Sequence, residues 1–228
     1  MTFTTITSKK IITNELIFNK DNYKINTNNT TITITGFKTN DIYYIIPDTM
    51  TINEKQYTIE EIYQLPDGQR AELINEQMYL MAPPDRVHQE LVGELYRVIS
   101  NYIHSKNGSC KPYIAPFAVF LNADDKNYVE PDISVICDRN KLNDRGCNGA
   151  PDWMIEIVSP GSQRMDYMIK LFKYRTAGVR EYWIVDKAKN RITVYNFEKD
   201  DMKEYTFTDS VKAGIYTDLE IDFSKILN

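Results

Sequence analysis

Two stretches limit what this chain can fold into. Val129-Glu130-Pro131-Asp132-Ile133-Ser134-Val135-Ile136 and Trp153-Met154-Ile155-Glu156-Ile157-Val158 read as core strands, yet carboxylates interrupt both. Side chains alternate along a strand, so Glu156 shares a face with Met154 and Val158 while Trp153, Ile155 and Ile157 take the other. A carboxylate among such neighbours loses hydration on folding and must be protonated, paired with a cation or bound to a metal. Paired strands lie roughly 4.8 Å apart, which lets Asp132 and Glu156 close on one divalent ion. The competing reading places Glu156 in water on an edge or barrel-lining strand, and Pro131-Asp132 taken alone is an ordinary turn-starting pair.

The rest of the composition narrows the class. With 228 residues, 42% hydrophobic and 26% charged, the chain can bury one sizeable core with an extension. Three cysteines, Cys110, Cys137 and Cys147, are odd in number and lack CxxC spacing, so neither a disulfide framework nor a zinc site is indicated, and a reducing cytoplasm is the expected compartment. No apolar run approaches the roughly 20 residues needed to span a bilayer, and the N-terminus has no secretory pattern. The net charge of −5 argues against tight nonspecific nucleic-acid binding, but the charge is uneven. From Gly161 to Arg191 eight basic residues stand against three acidic ones, and from Ile192 onward eight acids stand against four lysines. A solvated helix face and a phosphate-binding surface are both open readings of that asymmetry.

The organisation is that of an N-terminal extension, residues 1–56, and a main domain, residues 57–228. The extension is rich in Thr, Asn and Lys, with β-like runs at Thr30 to Phe37 and Ile42 to Ile46. Thr58-Ile59-Glu60-Glu61 has capping-box spacing. Arg70 to Ile74 and Met78 to Met81 flank a turn-prone Asn75-Glu76-Gln77, which predicts a hairpin. A long helix is expected from near Asp85, with His88 on the apolar face of Val92, Leu95 and Ile99, where its first-turn position favours a neutral ring. Strands follow around Tyr113 to Leu121, Ile133 to Cys137, Asp152 to Val158, Glu181 to Asp186 and Ile192 to Phe197, with one helix from about Gln163 to Ala177 stopped by Gly178. This order argues for an α/β or α+β sheet flanked by helices. On the second helix Asp166, Lys170 and Lys173 form a narrow charged stripe between apolar positions. Spacing alone slightly favours a surface Asp166/Lys170 pair, worth roughly 0.3–0.5 kcal/mol.

The ordered set Arg70-Ala71-Glu72-Leu73-Ile74, a helix with an early histidine, Glu130-Pro131-Asp132, Ile155-Glu156-Ile157-Val158-Ser159-Pro160, Asp166-Tyr167-Met168-Ile169-Lys170 and Ala177-Gly178-Val179-Arg180-Glu181-Tyr182-Trp183-Ile184-Val185-Asp186 resembles the bacterial Uma-two family, grouped with restriction endonucleases in the PD-(D/E)xK nuclease superfamily. The resemblance runs from Tyr57 to Leu227. It implies a restriction-endonuclease-like fold, a central mixed sheet flanked by helices, and a Mg²⁺-dependent (or Mn²⁺-dependent) phosphodiesterase acting on DNA. It further implies that Asp132 and Glu156 are metal-binding carboxylates, that Glu72 is an additional acid of the metal site, and that Lys170 is the catalytic lysine. The wider superfamily places its lysine two residues after the second acid, where this chain has Val158; Lys170 from the following helix suits the role, with Lys173 as fallback. His88 is either a substrate contact or a core histidine with an ordinary hydrogen bond.

A non-catalytic nucleic-acid or protein-binding module of the same architecture is the main alternative. A two-carboxylate glycoside hydrolase, with acids roughly 5–9.5 Å apart, is a weaker third, since Lys170 has no natural role there. Enzymes that cut both strands of a duplex commonly pair their active sites, so a homodimer is expected.

Overall fold

The computed structural model describes residues 5–7, 24–28, 31–35 and 55–227. The chain divides into two compact units, Met1–Lys55 and Gln56–Asn228. In the first, β1 (Thr5–Thr7), β2 (Lys24–Asn28) and β3 (Thr31–Thr35) form an antiparallel sheet with β3 in the middle. The run expected at Ile42 to Ile46 lies outside the described residues.

The second unit opens with α1 (Ile59–Tyr63), whose first turn is closed by the expected capping box: Glu61 N donates to Thr58 Oγ1 at 3.3 Å and Thr58 N to Glu61 Oε2 at 3.0 Å. Strands β4 (Arg70–Ile74) and β5 (Gln77–Met81) pair antiparallel around a two-residue turn, Asn75-Glu76. Both turn residues have positive φ, 50° and 62°, the geometry that matches the right-handed twist of the flanking strands. Helix α2 (Arg86–Ser105) starts at Asp85, whose side chain accepts from His88 N at 2.8 Å. Its buried stripe is Leu91, Leu95, Ile99 and Ile103.

The chain then lays down β6 (Lys111–Ile114), β7 (Val119–Phe120), β8 (Asn127–Val129) and β9 (Ile133–Ile136). These are followed by β10 (Leu142–Asn143), β11 (Gly146–Asn148) and β12 (Trp153–Ile157). A π-helical turn, Met165–Lys170, leads into α3 (Leu171–Ala177). Strands β13 (Glu181–Asp186), β14 (Arg191–Asn196) and β15 (Asp201–Tyr205) precede a small hairpin of β16 (Ser210–Lys212) and β17 (Glu220–Asp222).

Two six-stranded sheets result, ordered β15-β14-β13-β12-β9-β6 and β10-β11-β7-β8-β4-β5. Each is mixed: β12 runs parallel to β13 in the first and β11 parallel to β7 in the second, the other pairs being antiparallel. The alternation expected for β12 divides the core. Trp153, Ile155 and Ile157 pack with the apolar stripe of α2 on one face, and Met154 packs with Tyr174, Tyr182, Val119 and Val129 on the other. Glu156 points to the second face, into the layer between this sheet, α3 and the second sheet.

Three expectations need correction. The strand expected from Tyr113 to Leu121 is two, β6 and β7, which join different sheets; Pro116 lies between them and has no N–H for a ladder bond. Cys110 and Cys137 form a disulfide. Lys111 pairs with Ile136 across the antiparallel β6 and β9, so Cys110 just before the one and Cys137 just after the other face each other, a juxtaposition set by register and invisible in cysteine spacing. The second helix is less enclosed than its apolar content suggested, with Met168 and Phe172 exposed at 36% and 58%. Its end is as expected, since Gly178 takes the left-handed conformation, φ 93°, that closes α3.

Candidate active site

β9 and β12 pair with Ile133 opposite Ile155, so Asp132, just before β9, and Glu156, near the end of β12, lie at the same end of the sheet. The two acids are nevertheless held differently. Asp132 Oδ2 accepts from Ile157 N at 2.8 Å and lies 3.2 Å from His88 Nε2, on the α2 side. Glu156 is buried on the α3 side, where its Oε1 accepts from Lys170 Nζ at 2.9 Å and from the Tyr174 hydroxyl at 2.6 Å.

Lys170 is the hub. Its side chain is 5% exposed, and Nζ lies 2.9 Å from Glu72 Oε1, 2.9 Å from Glu156 Oε1 and 3.9 Å from Asp166 Oδ1. The surface reading of the Asp166/Lys170 pair is therefore overturned: both side chains turn inward. Glu72 comes from the middle of β4 and also accepts from Glu130 N at 2.9 Å, which fixes it against the strand leading to Asp132. Asp166 is held by Ser162, whose hydroxyl donates to Oδ2 at 2.5 Å and accepts from Ser159 N at 2.9 Å, so the Ser159-Pro160-Gly161-Ser162 turn shapes the site. The Tyr182 hydroxyl donates to the Asp166 carbonyl at 3.0 Å, within the π-helical turn. A side-chain donor in a helical ladder is a common companion of such distortion, and π turns recur at functional sites.

Lys173 goes elsewhere, bonding to Asn75 Oδ1 in the β4–β5 turn, and the structure does not bring it to the acids. The sequence gives Asp166 a surface pairing and Glu130 no role of its own, and it does not single out Tyr174. Asp166, Lys170 and Tyr174 recur at intervals of four, a signal for one helix face, but spacing could not say that the face is buried. Glu130 is a clamp rather than a member of the cluster. Arg70 Nε donates to its Oε2 at 2.7 Å, and the Tyr128 hydroxyl donates to its Oε1.

The electrostatics follow from crowding. Burial raises the Glu156 pKa well above the usual carboxylate range, opposed by the Lys170 ammonium and reinforced by Asp132, Asp166 and Glu72. Burial likewise pushes Asp166 up to about 6 against the pull of Lys170 and Ser162. For Lys170 burial opposes the charge, but Glu156, Glu72 and Asp166 together hold its pKa well above normal. These directions agree: the ammonium stays charged because several acids surround it, and Glu156 and Asp166 hold protons longer because burial and the neighbouring carboxylates outweigh its pull. At His88, burial lowers the pKa, yet the hydrogen bond and charge of Asp132, with smaller help from the Ile157 backbone and Asp85, raise it overall. The neutral ring expected from helix position is thus outweighed by Asp132.

Donor type and charge fit a hard divalent cation. The cluster offers only carboxylate oxygens, the ligands such ions take, and four acids share Lys170 and His88 as cationic partners. The contacts of Glu72 and Glu156 to Lys170 both run through Oε1. Among the described residues no three acidic, His or Cys side chains converge at metal-holding distance. The Lys170 ammonium sits between Glu72 and Glu156, 2.9 Å from Oε1 of each.

Tyr174 gives a direct test of this packing. Tyr174→Phe removes the 2.6 Å bond to buried Glu156 without changing ring volume, and is expected to cost about 1–3 kcal/mol, the penalty for a buried charged acceptor losing a donor. Urea denaturation measures it; an unchanged midpoint would show that the bond contributes nothing.

An α/β protein with a carboxylate–lysine centre at the end of a mixed sheet is the class that fold and site define. Residues 59–222 match the Uma2 family, described as "Putative restriction endonuclease", and the chain belongs to that family. A solved structure from Anabaena variabilis, described as "a putative nuclease belonging to DUF820", is 19% identical, with a TM-score of 0.61 over 75% of this chain and 97% of that one. That likeness shows the fold, which is restriction-endonuclease-like with the mixed β15–β6 sheet at its centre. No curated protein matches. Membership of this family supports a nuclease function with nucleic acid as substrate. Among the described residues no helix is long and apolar enough to cross a membrane.

Proposed function

We propose that this chain is a divalent-metal-dependent endonuclease that hydrolyses phosphodiester bonds of DNA. The observation that carries the reading is the convergence of Glu72, Glu156 and Asp166 from three separate elements on the buried Lys170 ammonium, with Asp132 at the same end of the sheet. Asp132, Glu156 and Glu72 would hold Mg²⁺ or Mn²⁺, which when bound polarises a phosphoryl oxygen and lowers the pKa of an attacking water. Lys170 supplies fixed positive charge where negative charge develops on the phosphoryl group, and Glu72, Glu156 and Asp166 keep that ammonium protonated and in place. Asp132 and His88, at 15% and 13% side-chain exposure, are the most open members and form the side from which substrate approaches. Cutting both strands of a duplex asks for two centres, so the reading carries a two-fold homodimer with it.

Purified protein is expected to nick supercoiled plasmid in Mg²⁺ or Mn²⁺ and to stop on addition of chelator. Cleavage that persists undiminished in chelator would reject metal dependence. DNA binding with no cleavage in either ion would instead favour a binding module of the same fold.

A further inference from the structure

The chain is acidic overall, at net charge −5, yet it gathers cations at one end of the central sheet. β12 and β13 are parallel and Val158 N donates to Val185 O at 2.9 Å, so the segment leaving Glu156 and the turn leaving β13 emerge together. β9 runs antiparallel to β12, which brings Asp132 to the same end. The turn leaving β13 is Lys187-Ala188-Lys189-Asn190, followed by Arg191.

Tyr167, the neighbour of Asp166 in the π-helical turn, organises these cations. Its hydroxyl donates to Asp186 Oδ2 at 3.1 Å and accepts from Arg191 Nη2 at 3.4 Å. Lys189 Nζ and Arg191 Cζ lie 4.7 Å and 5.4 Å from its ring centroid. Lys189 also reaches Gln163 Oε1 at 3.4 Å, next to the exposed Arg164 at the start of the helix. Lys187 is exposed, its ammonium 4.5 Å from the Phe207 ring centroid. The acids paired with this group are Asp186, 3.2 Å from Lys189 and fully buried, and Glu204, 3.2 Å from Arg191. Four cations therefore stand against two carboxylates, one of them sealed from solvent.

We infer that Arg164, Lys187, Lys189 and Arg191 form a phosphate-contacting track for duplex DNA, leading the backbone towards the sheet end that carries Asp132 and Glu156. The inference rests on the nuclease reading and names the surface that positions its substrate. A protein with net negative charge that acts on a polyanion must concentrate positive potential where the substrate lies, and lysines on a turn beside the site do so. Phosphate contacts of this kind fix register on the duplex and carry no sequence information.

Fluorescence anisotropy with a labelled duplex, run in chelator over a salt series, tests it without cleavage. Each phosphate contact contributes roughly −0.9 to the slope of log Kobs against log salt. Lys187→Gln with Lys189→Gln is expected to weaken binding and flatten the slope by about 2, and Arg164→Gln alone by about 1. The control pair Lys111→Gln with Lys212→Gln changes two exposed lysines; Lys111 lies beside Ile136, at the far end of β9 from Asp132. The control should leave the slope unchanged. An unchanged slope in both patch variants, an equal effect from the control pair, or no binding of duplex by the parent chain overturns the track. The two readings separate cleanly: metal-dependent cleavage with an unaltered slope removes the track alone, and a flattened slope without cleavage keeps the track and removes the nuclease.

Discussion

Asp132→Asn and Glu156→Gln are each expected to lower metal-dependent DNA cleavage by about a thousand-fold, the several kcal/mol that a metal site supplies to a charged transition state. Both substitutions keep side-chain volume. The amide introduced in place of Asp132 retains a carbonyl oxygen to accept from Ile157 N, and the one in place of Glu156 retains an oxygen to accept from Lys170 and Tyr174. What each removes is a formal charge and a strong oxygen ligand, so the loss should fall on turnover while the fold persists. Glu130→Gln is the matched control, because Glu130 is buried only two residues from Asp132 but is occupied by Arg70 and Tyr128. It should lower stability and leave the cleavage rate of the folded fraction near that of the parent. Plasmid nicking rates normalised to folded protein measure all three; parental rates in both Asp132→Asn and Glu156→Gln would end the assignment.

Lys170→Met is expected to destabilise the fold by about 3–5 kcal/mol, the cost of removing one partner from a buried ionic group. Methionine fills nearly the same space, but Glu72, Glu156 and Asp166 are then buried together without the ammonium. The loss should depend on pH in a definite direction. A carboxylate whose folded-state pKa is raised binds more protons folded than unfolded, so its stabilising contribution is present at low pH and declines as pH rises through the folded value. Burial, opposed by Lys170, already lifts Asp166 from 3.8 to about 6. Without the ammonium the acids rise further, and the variant should be closest to the parent near pH 5 and furthest from it near pH 8. Urea midpoints at those two pH values read the effect. A constant difference between parent and variant would mean that the acids do not rely on Lys170 for their charge.

Much of the second unit was legible in order. The Thr58–Glu61 capping box, the β4–β5 hairpin, the Gly178 stop and the alternation of β12 depend on neighbours a few residues apart, where backbone sterics and side-chain periodicity act without tertiary help. The breaks came where contacts are long-range. One continuous strand through Pro116 looked sound by composition, yet β6 and β7 belong to different sheets. Cys110 and Cys137 meet only because β6 and β9 share a register. The Asp166/Lys170 pair is the clearest instance. An acid and a lysine four apart on a helix look the same in sequence whether the stripe faces water or a second sheet, and here it faces Glu72 on β4.

By itself the sequence determined which side chains are chemically out of place: a glutamate in an apolar strand, an aspartate before another, and a lysine on an apolar helix, each of which must find an opposite charge or a ligand once water is removed. Only the tertiary structure decided who answers whom. Lys170 resolves Glu72 and Glu156, while Asp132 turns to His88 and the backbone of Ile157. Local propensity acts over a few residues, whereas the charge balance of a buried centre is set by elements as far apart in the chain as Glu72 and Lys170, and no spacing rule reaches across that distance.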